Sequence, residues 1–128
     1  MATIKFYTDI PQSKKLAEFL PLASADMYWS RCTITDFGDN TLKVSYAVEP
    51  CNISQFRNTK EDIPAWSLAA LLNVLPDGTD IVKDKADTEN EKYMCTVGVK
   101  DDIISMFGNN PVDACVAMVE KLYELKML

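Results

Sequence analysis

Hydrophobic and polar positions follow two periods along this chain, and the switches between them lay out the elements. Residues 3–7, Thr-Ile-Lys-Phe-Tyr, fit a short first strand or an arm. Asp9 has the character of a helix N-cap, with Pro11 in the first turn behind it. Leu16, Phe19 and Leu20 share one helical face while Lys14, Lys15 and Glu18 take the other, so a helix is predicted over 11–20, stopped by Pro21. Aromatic and β-branched residues fill 27–36, and Phe37-Gly38-Asp39-Asn40 is a turn signal. Leu42, Val44, Tyr46 and Val48 then alternate with Lys43, Ser45 and Ala47. The two runs predict an antiparallel hairpin closed by Pro50.

Residues 50–63 form the longest irregular stretch, of a length that marks either a functional loop or a loosely ordered one. Pro64 is placed to open a second helix, in which Leu68, Leu71, Leu72 and Leu75 keep helical spacing. Trp66, Ala69, Ala70 and Val74 fill most of the remaining surface, so this helix is expected to be covered on nearly all sides until Pro76 stops it. Asp77-Gly78 turns the chain into a strand pair near 79–86 and 92–99, the second member alternating Tyr93, Cys95, Val97 and Val99 with Met94, Thr96, Gly98 and Lys100. Ile103, Ile104, Met106 and Phe107 form an apolar patch without a readable period, ended by Gly108. The last helix is the clearest: Asn110 caps it, Pro111 stands at its first position and Asp113 at its third. Val112, Cys115, Val116, Val119, Leu122 and Tyr123 make its apolar stripe, and Lys121 and Lys126 suit the negative end of its dipole.

The predicted class is α+β: an antiparallel sheet of two hairpins with three helices, in the order (β)αββαββα. The first two helices echo one another, since aligning Leu20-Pro21 on Leu75-Pro76 also matches Leu16 with Leu71. Either an internal helix–hairpin duplication or chance likeness between amphipathic helices produces the echo. The first helix is expected outside the sheet and the second at its buried centre, with the third beside it.

Composition narrows the function classes. At 128 residues the chain is read as a single domain, 1–128. A net charge of −6 argues against phosphate-backbone binding and against anionic membranes, and leaves room for a basic protein partner. Residues 1–20 are interrupted by Lys5, Asp9, Lys14 and Lys15, and no apolar run approaches the roughly 18 residues that span a bilayer. A cytoplasmic location with reduced thiols is therefore expected. Histidine is absent, which removes Ser-His and Cys-His nucleophiles, histidine metal ligands and the usual general base near neutral pH. No cofactor, metal site or catalytic residue is predicted, and the reading leans away from an enzyme.

Two surfaces are nominated for a partner. Phe56 and Arg57 in the long loop form an aromatic–arginine pair of a kind enriched at interfaces. Residues 77–102 carry eight carboxylates against four lysines, and Asp84, Asp87, Glu89 and Glu91 crowd the connection between the strands. This acidic tip is either a solvated hairpin end that resists aggregation or a face for a basic partner or a divalent cation. Of the four cysteines, Cys95 and Cys115 fall on predicted buried faces and behave as small hydrophobes; Cys51, in the loop, has the better case for reactivity.

Three helical segments carry a resemblance: Pro64-Ala65-Trp66-Ser67-Leu68-Ala69-Ala70-Leu71-Leu72-Asn73-Val74-Leu75-Pro76, Asn110-Pro111-Val112-Asp113-Ala114-Cys115-Val116-Ala117-Met118-Val119, and Ser13-Lys14-Lys15-Leu16-Ala17. Through them the chain resembles a family of short uncharacterised proteins encoded by phages and mobile elements of gut bacteria. The resemblance implies a setting and no mechanism. The leading expectation is a small non-enzymatic interaction or accessory protein of such an element. The alternative is a small-molecule binding domain or a carboxylate-dependent enzyme, which needs a pocket with converging polar groups.

Overall fold

The computed structural model describes residues 5–36, 38, 41–50, 62–83 and 93–128. The class is α+β: the described residues form three helices and two small antiparallel sheets where the hydrophobic pattern predicted one. The chain divides into two compact units, one formed by Asp9–Ala65 and the other by Met1–Thr8 with Trp66–Leu128.

In the first unit, helix α1 spans Ile10–Ala17. Asp9 caps it as expected: its carboxylate accepts from the Gln12 N–H at 2.8 Å, and the Gln12 side chain accepts from the Asp9 N–H at 3.1 Å. This reciprocal box satisfies two of the donors a helix start leaves open. Leu16 is buried, whereas Lys14, Lys15 and Glu18 are exposed. The regular helix ends before Pro21, and Leu22–Ser24 makes one tight turn beyond that proline. Strands β1 (Met27–Asp36) and β2 (Thr41–Pro50) pair in the predicted hairpin, from Asp36 opposite Thr41 to Met27 opposite Pro50.

The next element was not legible in the pattern. Ile63–Ala65 is a third strand, β3, antiparallel to the start of β1 with Met27 opposite Ala65 and Trp29 opposite Ile63. Pro64 thus sits in an edge strand, where its missing N–H costs no ladder bond, and not in the first turn of a helix. α1 packs against β3.

In the second unit, the segment entering at Lys5 runs beside Trp66 and Ser67. The Thr8 N–H donates to the Trp66 carbonyl at 2.9 Å, and the Trp66 N–H donates to Thr8 Oγ1 at 3.1 Å. Trp66 and Thr8 are fully buried there, and the Thr8 backbone N–H and side-chain hydroxyl satisfy the backbone carbonyl and N–H of Trp66. Helix α2 then spans Leu68–Val74, with Ser67 as its N-cap accepting from the Ala70 N–H at 3.2 Å. The helix starts four residues later than Pro64 implied, because Ser67 supplies the cap. Ala69, Leu72 and Asn73 are exposed, so α2 buries one face, against α3, and is not covered on nearly all sides.

Gly78 turns the chain at a φ of +81°, and β4 (Asp80–Lys83) pairs with β5 (Tyr93–Val99) as predicted. The apolar patch after it is a strand, β6 (Asp102–Gly108), joined to β5 through Lys100 and Asp101. Lys100 takes a φ of 52° there, a conformation that costs a side-chain-bearing residue about 1–2 kcal/mol. Helix α3 spans Pro111–Glu124. Asn110 accepts from the Asp113 N–H at 2.8 Å, and the Asp113 carboxylate also takes the Lys5 ammonium at 2.8 Å. Val112, Cys115, Val116, Val119 and Leu122 are buried as predicted, joined by Ala114 and Met118; Tyr123 is exposed instead. The helix ends with Lys126 at a φ of 59°, while the Met127 N–H reaches back to the Leu122 carbonyl at 2.8 Å. That is a Schellman closure with lysine at the left-handed position.

Candidate interaction surface

The β4–β5–β6 sheet has two faces of opposite character, and strand register assigns every side chain to one of them. Cross-strand rows place Ile81, Cys95 and Met106 together, and Val97 with Ile104, on the face packed against α3. Gly108 closes the end of that face. A Cβ there would overlap the backbone nitrogen of Ala114 and lie 2.8 Å from the Asp113 carbonyl carbon, so β6 rests directly on the first turn of α3. Cys95 and Val97 are fully buried, as are Cys115, Val119 and Leu122 opposite them. The two thiols, both free, meet across the seam. The hydrogen bond from Cys115 lowers the pKa of Cys95, against the opposing effect of burial. The proton that Cys115 shares with Cys95, together with burial, raises the Cys115 pKa far above the ordinary thiol range. Both thiols are sealed from solvent, so this pair belongs to the packing.

The other face carries the rows Asp80–Thr96–Ser105 and Val82–Met94–Phe107, with Gly98 opposite Ile103. Three of its apolar side chains remain in solvent: Ile103 is 73% exposed, Val82 47% and Phe107 44%. Thr96, at its centre, is half-buried, and its Oγ1 is buried without a hydrogen-bond partner.

The two edges of this sheet differ as well. β4 is four residues long with Asp80 and Lys83 at its ends, which is how natural edges discourage pairing. β6 is seven residues long, and its single charge, Asp102, stands at its first position. It contains no lysine or proline, and among the described residues β5 is its one strand neighbour. Exposed apolar side chains along an unguarded edge are what strand-addition partners use.

The nominated residues Phe56, Arg57, Asp84, Asp87, Glu89 and Glu91 lie outside the described residues, as does Cys51. Of the remaining acidic run, Asp77, Asp80, Asp101 and Asp102 are exposed. Among the described residues no group of three metal-ligating side chains gathers in one place, and no helix is long and apolar enough to cross a membrane. Sequence reasoning passed over Ile103 and Phe107 as surface residues. The signal was present in the doublets Ile103-Ile104 and Met106-Phe107: in a strand, an apolar doublet sends one side chain to each face. No family model, curated protein or solved structure matches this chain.

Proposed function

We propose that this chain is a small non-enzymatic interaction protein, an accessory component of a phage or mobile element acting in the cytoplasm, and that it engages its partner along β6. The observation that carries this reading is the exposure of Ile103 and Phe107 on an unguarded strand edge. Folding gains little from Ile103 and leaves close to half of Phe107 in water, since burial is what makes an apolar group stabilising. The net charge of −6 and the lack of histidine favour a protein partner over nucleic acid, an anionic membrane or a catalytic cycle.

A photo-crosslinking amino acid introduced at Phe107, in cells expressing the chain, tests this. Covalent adducts should form there far more than from the same group at Lys14, an exposed polar position on α1. Equal, background-level adducts at both positions would remove the reading.

A further inference from the structure

We infer that the partner of β6 is β6 of a second copy, paired antiparallel about a two-fold axis at Ser105 so that two three-stranded sheets become one of six strands. This rests on the interaction reading above and adds the identity of the partner.

The inference comes from the symmetry of the strand itself. β6 reads Asp102-Ile103-Ile104-Ser105-Met106-Phe107-Gly108. In an antiparallel pair, directly opposed residues point to the same face, and a slip of one residue mixes the faces. A two-fold axis normal to the sheet must therefore pass through a residue position and not between two. Centred on Ser105, the strand opposes itself over its whole length. Ile103 meets Phe107 of the second copy, and Phe107 meets its Ile103, so both exposed apolar positions are covered twice over. Ser105, on the same face between them, meets itself, and on the other face Ile104 meets Met106. Centring on Ile104 or on Met106 shortens the overlap and sets Ile103 or Phe107 against Ser105.

Charge fits the same register. Asp102 is the only ionised side chain in β6, and about Ser105 it lies opposite Gly108 of the second copy. The two carboxylates are then six residues apart along the strand, roughly 20 Å at the usual rise per residue. That is well beyond the screening length of about 8 Å at physiological salt. An isologous contact of this kind needs one patch that complements itself, and cyclic dimers are the commonest closed assembly.

Light scattering on the eluting protein should give a mass approaching twice the 14.4 kDa of the chain as concentration rises. Two double variants then read the register. Ile103→Lys with Phe107→Lys sets like charges opposite each other and should leave a folded monomer. Ile103→Lys with Phe107→Glu sets opposite charges in the same two places and should restore the dimer at low salt. If either variant fails to fold by circular dichroism, Ser105→Cys in the otherwise unchanged chain supplies a second readout: mild oxidation should give a reducible dimer that the unchanged chain does not form. A wild-type chain that is monomeric at every concentration overturns the inference, and so do two double variants that behave alike. A monomer that still crosslinks to another protein from position 107 removes the second copy and leaves the interaction reading standing; absence of any adduct removes both.

Discussion

On one face of β4–β5–β6, Cys95 and Val97 are sealed beneath α3; on the other, Ile103 and Phe107 stand in solvent. The same strands supply both sets, and both faces are rich in apolar residues. The difference lies in what each face meets. α3 brings a matching stripe, Cys115, Val116, Val119 and Leu122, and fixes its approach through Gly108 at one end. The opposite face carries comparable side chains without a described element over its exposed positions. Composition alone therefore does not separate a core face from a binding face. Register and cover do, and the excess of apolar surface on the uncovered side directs attention to a partner.

The largest expected effect lies on the covered side. Gly108→Ala should destabilise the chain by about 3 kcal/mol or more, because the added carbon meets backbone and not a flexible side chain. Urea denaturation followed by circular dichroism measures it, and a loss below about 1 kcal/mol would mean that β6 does not rest on α3 as described. Next comes a matched pair of truncations. Val97→Ala should cost about 2 kcal/mol, whereas Ile103→Ala in the monomer should cost no more than about 0.5 kcal/mol. Equal losses would erase the distinction between the faces.

How far the sequence revealed these faces depends on where the signal was stored. Asp9 and Asn110 announce their helices because capping is local chemistry, readable within a few residues. β2 and β5 were legible because their residues alternate, and β1 because aromatic and β-branched types fill it. β6 was not, because its two faces are both apolar where they matter. The doublets that blurred its period are the same residues that make its outer face a candidate surface. β3 was missed for a different reason. Three residues around Pro64 carry no period, and their pairing with β1 is a contact distant in sequence. The late start of α2 turned on Ser67, which falls inside the helix that Pro64 implied, whereas its hydroxyl is the cap. The loop and acidic tip nominated for function drew notice by composition, whereas the described surface drew none.

Two smaller effects sharpen the comparison. Thr96 sits on the uncovered face, yet its Oγ1 is buried without a partner. Thr96→Val keeps the shape, removes the orphaned hydroxyl and should stabilise the chain by about 1 kcal/mol in the same denaturation experiment. A loss of stability there would show that the hydroxyl is satisfied in solution. Smallest of all, Lys100→Gly relieves the left-handed turn between β5 and β6 and should raise stability by about 0.5–1 kcal/mol, net of the extra freedom glycine brings to the unfolded chain. No gain would place the turn in another conformation.

Residue-resolved amide exchange across the sheet, measured as the chain concentration is raised, tests the central claim most directly. Alternate amides of β6, those not bonded to β5, should exchange quickly when dilute and become protected as concentration rises, while the outer amides of β4 stay unchanged. Exchange at β6 that is the same at every concentration, or already slow in dilute monomer, would contradict an open edge that pairs with its own copy.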